Sequence, residues 1–203
     1  ELEEAETELK RAKETLSYYL EKLRRTTRFI IDVIVMAIET RDPYTAGHQK
    51  RVTDLARSIA TEMKLSPEII DSIRMAGLIH DLGKISIPAE ILGLPRYLNN
   101  VEYSIVKTHP EIGYQILKDI DFSSPVALIV YQHHERMNGS GYPQGIRGEE
   151  ILLEARILAV ADVVEAICTH RPYRPVLGID KALKDISQHR GILYDPEVVD
   201  VCI

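Results

Sequence analysis

Along residues 1–28 leucine returns at every seventh position, at Leu2, Leu9, Leu16 and Leu23, and Ala5, Ala12, Tyr19 and Thr26 each follow three residues later. Half of the segment is charged, with seven acidic and seven basic residues, and it contains neither Gly nor Pro. A narrow apolar a/d seam set among charges predicts a coiled coil rather than a helix lying flat on its own domain. The pattern runs on through Phe29, Ile30, Val33, Ile34 and Ala37. One long helix is therefore expected to enter the following domain without a linker.

The remainder reads as helical. Three helix starts pair a capping residue with proline at the first helical position: Ser66-Pro67, Ser124-Pro125 and Asp195-Pro196. Asn100 is expected to cap a further start before Val101. Residues 68–80 carry apolar positions at helical spacing. Residues 151–167 are apolar on more than one face, which predicts a central helix. Residues 136–149 hold four Gly and one Pro and form the clearest loop. There is no internal repeat and no useful run of strand alternation. The expected fold is all-α: a helical bundle over residues 29–203, preceded by a coiled-coil signalling helix over residues 1–28.

Composition narrows the classes. With 203 residues, 45% hydrophobic and 28% charged, the chain can bury a core and suits one domain plus an extension. Cys168 and Cys202 cannot build a disulfide scaffold and form no C-x-x-C spacing, so a cytoplasmic setting is expected. The most apolar run, residues 29–38, is about half of the ~20 residues a bilayer span needs, and Asp32 interrupts it. A net charge of −6 argues against binding a DNA or RNA duplex. It leaves room for a small anion held by a local cluster of cations. The chain opens on Glu1 rather than Met and is expected to be a piece of a longer protein.

The candidate chemistry lies in five segments: AGHQKRV (46–52), LIHDLGKISIP (78–88), KTHPEIG (107–113), YQHHERMNGSGYP (131–143) and AVADVVEA (159–166). A lone histidine on an apolar helix is most often a satisfied core residue. His80-Asp81, however, closes an apolar helix expected to break at Gly83, and a buried carboxylate needs a partner or a metal. Such a pair can give one nitrogen and one bridging carboxylate to two ions. His133-His134 offers two consecutive imidazoles at another helix end. With His48, His109 and Asp162 the set is five His and two Asp, all N or O donors. That favours Fe, Mn, Co or Ni over a structural zinc site. His170 and His189 fall outside the set and are expected at the surface, and both cysteines are expected to fill the core.

HDLGK (80–84) together with HHERMNGSGYP (133–143) resembles the HD-GYP family, a branch of the HD-domain metal-dependent phosphohydrolases. The likeness extends over residues 29–203, with DPYTAGH (42–48), KTHPEIG, ILAVADVVEAICTHRPYR (157–174) and YDPEVV (194–199) in the family's order. It implies a phosphodiesterase that hydrolyses cyclic di-GMP to pGpG and GMP in bacterial signalling, with some members acting on cyclic GMP-AMP. It implies that His48, His80, Asp81, His109, His133, His134 and Asp162 ligate metal, with Asp81 bridging. Lys84 matches a lysine that contacts the substrate phosphate, Arg171 and Arg174 match cations that hold the dinucleotide, and Gly141, Tyr142 and Pro143 form the naming loop. Without the resemblance, Lys84 could equally offset a helix dipole, the arginines could lie in an idle loop, and the glycines could simply close a turn. In the other reading of that loop its backbone approaches a ligand or partner, with Tyr142 at the rim. Two departures stand out. Asn138 replaces the usual Asp, which still suits a turn. Tyr44 replaces a Glu that binds a third metal in some members, so two ions are expected, Fe or Mn first, Co or Ni next.

The expected partners are a cyclic dinucleotide, a second copy of the chain through residues 1–28, and an upstream sensor or receiver module. The competing readings are a catalytically silent module that senses a cyclic dinucleotide or docks a protein, a cyclic GMP-AMP phosphodiesterase, and a diiron oxygenase. The oxygenase has no use for Lys84, Arg171 and Arg174.

Overall fold

Helix α1 runs unbroken from Leu2 to Arg41, 40 residues and about 60 Å. The computed structural model describes residues 2–42, 46–169 and 177–203. Residues 3–30 of α1 are exposed, and its first partly buried side chain is Ile31. Ile31 and Ile34 pack against the core and Ile38 is inside it. The heptad positions Leu9, Leu16, Leu23, Ile30 and Val33 are 48–70% exposed, on a face the domain does not cover.

The domain is built from α2 (His48–Glu62), α3 (Pro67–Ile79), α4 (Ala89–Leu92), α5 (Asn100–Val106), α6 (His109–Leu117), α7 (Val126–Gln132), α8 (Leu153–Cys168), α9 (Ile179–Gln188) and α10 (Pro196–Cys202). No strand occurs among the described residues, only an isolated bridge between Arg190 and Tyr194. As its composition predicts, α8 is the central helix: Ala155, Ile157, Leu158, Ala159, Val160, Ala161 and Val164 are all buried. It packs on α2, α3, α7, α9 and α10. Small residues on the two helices, Ala56 and Ala60 on α2 and Ala155 and Ala161 on α8, share a core with Ile73, Ile129 and Leu158. Each fully buried Ile or Leu contributes about 1.5–3 kcal/mol.

The caps fall close to, but not always on, the expected residues. Ser66 accepts from the Ile69 amide, and Asp195 accepts from the Glu197 and Val198 amides at 2.9 and 3.3 Å. Asn99, not Asn100, caps α5. Its Oδ1 accepts from the Glu102 amide at 2.9 Å while Glu102 accepts from the Asn99 amide at 2.8 Å. Asn99 wins because Glu102 lies three residues on, the spacing a reciprocal cap requires. At the remaining start Pro125 itself takes the cap position, so Ser124 makes no cap and α7 opens at Val126. The helix before His80-Asp81 ends at Ile79, ahead of Gly83, which lies inside a 3-10 turn, Leu82–Ser86. Both cysteines are partly buried against the core.

Candidate metal centre

Helix ends deliver the histidines, and the backbone there sets their rings. His80 follows the last residue of α3, His133 the last residue of α7, and His109 opens α6 just beyond the end of α5. In each case Nδ1 bonds the carbonyl three residues earlier: Gly77 at 2.7 Å, Val130 at 2.6 Å and Val106 at 2.8 Å. The last carbonyls of a helix lack intrahelical donors, so the imidazole fills a vacancy the helix leaves. A carbonyl only accepts, so each Nδ1 carries a proton, and in the neutral ring Nε2 is the atom left with a lone pair. His48 opens α2 and turns its Nδ1 to the carboxylate of Glu165. His134 stacks beside His133, ring centroids 4.1 Å apart.

All seven ligand candidates converge. Donor atoms of His48, His80 and Asp162 lie within 4.8 Å of one another, as do those of His80, Asp81 and His133, and those of His109, His133 and His134. Donors at 2.0–2.2 Å from one ion stand at most about 4.4 Å apart, so these groups need only slight contraction to hold cations. Asp81 lies between them. Its Oδ2 is 3.6 Å from His80 Nε2 and its Oδ1 is 3.5 Å from His109 Nε2. The two carboxylate oxygens thus address two different histidine sets.

The electrostatics suit cations. Burial alone would neutralise Asp81, but Lys84, His80 and His109 hold its pKa well below the usual carboxylate range. Asp162 is held low in the same way against burial, chiefly by its hydrogen bond to His48. Burial pushes His109 down to about 4 and lowers His133 and His134 well below the usual value, so all three stay neutral at pH 7. Burial also opposes charge on His48, but hydrogen bonds to Asp162 and Glu165 outweigh it and raise that ring to about 9. The ionised carboxylates and the neutral His109, His133 and His134 are in the states metal ligands require, whereas His48 is held protonated by its two carboxylates and must release a proton to bind an ion. Gln49 Oε1 is buried without a partner among the described residues, and its Nε2 donates to Asp81 Oδ2 at 3.4 Å. An unmet buried acceptor beside the cluster fits a site completed by an ion and its water.

Lys84 is nearly buried, its Nζ 2.9 Å from Asp81 Oδ2 and 3.5 Å from Asp42 Oδ2. Asp42 directly follows α1, and Arg41, the last residue of α1, donates to the Ile87 carbonyl at 2.9 Å. The end of the long helix is thereby tied to both sides of the turn that carries Lys84.

Four residues escaped the sequence reading. Glu165, buried, accepts from Arg51 Nε at 2.7 Å and Thr169 Oγ1 at 2.6 Å while engaging His48. Its signal was available: it lies one helical turn after Asp162. Arg51 and Gln49 gave none. Glu135, the acid after the two histidines, is buried and accepts from the Gln144 and Gly145 amides at 2.7 and 3.1 Å. It draws the 136–147 loop closed.

In that loop Gly141 serves the chain itself. A Cβ there would stand 2.4 Å from Glu135 Cα and 2.5 Å from His134 O, so the close approach is between the two limbs of the loop. Tyr142 does not project at a rim. It stacks on His134, centroids 4.7 Å apart and planes at 26°, and burial raises its pKa so that the phenol stays neutral. The Tyr142-Pro143 peptide is cis. Asn138 Oδ1 accepts from Ser140 N at 3.0 Å, the turn role open to either Asn or Asp. His189 lies apart from the cluster, bonded to the Asp185 carbonyl. Arg171, Arg174, His170 and Tyr44 lie outside the described residues.

The sequence model of a family described as HD domain matches residues 32–198. The cyclic di-GMP phosphodiesterase response regulator RpfG of Xanthomonas campestris is 40% identical over 186 residues. That match covers 91% of this chain and 49% of the relative, so the chain spans about half of its length. Among solved structures, a cyclic GMP-AMP specific phosphodiesterase of Vibrio cholerae, V-cGAP3, superposes with a TM-score of 0.54 at 31% identity, covering 85% of this chain and 39% of the other. Bd1817, an HDG"Y"P protein of Bdellovibrio bacteriovorus, shares the fold with a TM-score of 0.64 at 22% identity, covering 76% and 50%.

Proposed function

The chain belongs to the HD-domain family, and from that premise we propose that it is a metal-dependent phosphodiesterase that opens cyclic di-GMP to pGpG and onward to GMP. One observation carries the reading: the carboxylate of Asp81 faces His80 with one oxygen and His109 with the other, between the donor set of His48, His80 and Asp162 and that of His109, His133 and His134. Two divalent cations held there, Fe or Mn before Co or Ni, would supply Lewis acidity and an activated water for attack on phosphorus. His48, His80 and Asp162 would hold one ion and His109, His133 and His134 the other, with Asp81 between them.

The remaining chemistry falls to the chain. Lys84 holds its ammonium against Asp81, where it can offset charge that builds on the phosphate. Arg171 and Arg174 are assigned to the second phosphate, which suits bidentate guanidinium bonds. Gly141, Tyr142 and Pro143 form the wall beside His134. The relatives include enzymes named for cyclic di-GMP and for cyclic GMP-AMP, and cyclic di-GMP is the substrate assigned here. Residues 29–203 are taken as the catalytic unit, acting in the cytoplasm. Residues 1–28 are taken as a signalling helix that pairs with a second copy through its exposed heptad face and links to an upstream sensor or receiver.

The test is anaerobic purification, loading with Mn or Fe, incubation with each dinucleotide, and separation of products, with His80→Ala/Asp81→Ala as control. Metal-dependent cleavage of cyclic di-GMP that the control abolishes is expected. A protein with two bound ions that cleaves neither nucleotide overturns the reading in favour of a binding module. Light scattering on a chain lacking residues 1–28 tests the pairing, and an unchanged oligomeric state would refute it.

A further inference from the structure

The geometry points to a guanine-selecting subsite formed by Tyr103 of α5 and Lys107, the residue directly after that helix, against Tyr142, a specificity element beyond the naming loop. It rests on the reading of the centre as a cyclic-dinucleotide site.

Three contacts build it outward from the metal ligands. Tyr142 stacks on His134. Lys107 Nζ sits 5.0 Å from the Tyr142 ring and 5.5 Å from the Tyr103 ring. Tyr103 meets Tyr142 edge to face, centroids 6.5 Å apart. The ammonium is therefore confined over two aromatic rings, one of which touches a candidate ligand. Lys107 caps the C-terminal end of α5, its amide bonded to the Tyr103 carbonyl at 2.9 Å, and at four residues' spacing the two side chains lie on one side.

That helix is held in place at both ends. Its N-terminus carries the Asn99–Glu102 reciprocal cap, which Arg96 reinforces at 2.7 and 2.8 Å. At its other end the Val106 carbonyl orients His109. Lys107 lies between those two residues in the chain, so its backbone is fixed relative to the metal centre. Among the described residues no carboxylate forms an ion pair with it, and an ammonium has three donors to place. Tyr103 keeps about half of its surface exposed.

Because Tyr142 joins this wall to His134, a purine whose phosphate lies at the metal centre would meet it. Guanine presents N7 and O6, two acceptors on one edge, and an ammonium can donate to both. Adenine presents N7 beside an N6 amino donor, which opposes the ammonium. The exposed Tyr103 face adds stacking, which every base can use. Selection of guanine is thus assigned to Lys107 and sequence-tolerant affinity to Tyr103.

The test compares cyclic di-GMP with cyclic di-AMP on the Mn-loaded chain, by kcat/KM where cleavage occurs and by Kd from titration where it does not. Lys107→Met keeps the aliphatic stem and should cut the guanine preference roughly 5- to 150-fold with metal content unchanged. Lys107→Arg should retain it, and Lys107→Gln serves if the Met variant does not fold. Tyr103→Leu should weaken both nucleotides alike. A preference that survives Lys107→Met, or a wild-type chain that prefers adenine, overturns the subsite while the phosphodiesterase reading stands. Binding without cleavage overturns the phosphodiesterase reading, and the ratio of Kd values still judges Lys107. Binding of neither nucleotide overturns both.

Discussion

Replacing Gly83 by alanine should empty the metal centre without touching any ligand. The turn that carries Asp81 and Lys84 lies against the first turn of α6, which carries His109. A Cβ on Gly83 would stand 1.9 Å from the His109 carbonyl oxygen and 2.7 Å from the Gly113 nitrogen. A carbon approaches a carbonyl oxygen to about 3.3 Å, so turn and helix must separate by roughly 1.4 Å. The obstruction is backbone, with no flexible side chain to swing aside. Asp81 Oδ1 and His109 Nε2 now face each other at 3.5 Å. Metal sites tolerate ligand shifts of about 0.2 Å, so this displacement takes one partner out of reach. Overpacking of this kind costs about 1–3 kcal/mol, a fall in Tm of about 2–12 °C for a chain of this size. The assay is metal content by mass spectrometry together with a calorimetric melt. Gly93→Ala is the control. Gly93 has a φ of −86° and its nearest neighbour is the Ala89 carbonyl oxygen at 3.3 Å, so its Tm should move by less than about 2 °C. A Gly83→Ala protein with full metal content and an unchanged melt would refute the reasoning.

Three further outcomes follow. Glu165→Ala frees the His48 ring and should weaken metal binding about 10- to 100-fold by competitive chelator titration, with wild-type affinity as the refuting result. Glu135→Ala strands the loop amides of Gln144 and Gly145, which should cost about 1–3 kcal/mol and speed hydrogen exchange across residues 136–147; unchanged protection there would count against it. Denaturant titrations of the metal-stripped chain should show stability falling as pH drops from about 6.5 toward 4. Folded His109 titrates at about 4 and His133 and His134 are lowered too, so the unfolded chain takes up protons first. His48, raised to about 9, acts oppositely: its contribution is full below 6.5 and fades as pH rises through 9. A profile flat between pH 4 and 9 would contradict both.

Much of the fold was legible because periodicity and capping chemistry are local. The unbroken α1, the central α8 and the loop after Arg136 all follow from spacing within one element. The errors at Asn99 and Pro125 are shifts of a single residue, where two adjacent polar or turn-forming residues compete for one cap. The seven residues that converge were legible as a candidate set because His and Asp carry metal chemistry whatever surrounds them. Its support was not: Glu165, Gln49 and Glu135 act on residues far away or on the backbone, and a Glu or Gln in a sequence does not disclose its partner. Tyr142 shows the same limit, since only the folded loop reveals that its ring lies on His134.

The unbroken course of α1 has a mechanical consequence. A helix without Gly or Pro is stiff in torsion, and this one ends at Arg41, directly before Asp42, whose carboxylate meets Lys84. In the proposed arrangement, a module joined through this helix would be geared to the metal centre by residue count. One inserted residue turns the input by 100° and shifts it 1.5 Å. Seven restore the phase to within about 20°. Such a coupling would read angle rather than distance, with the heptad as its unit of length.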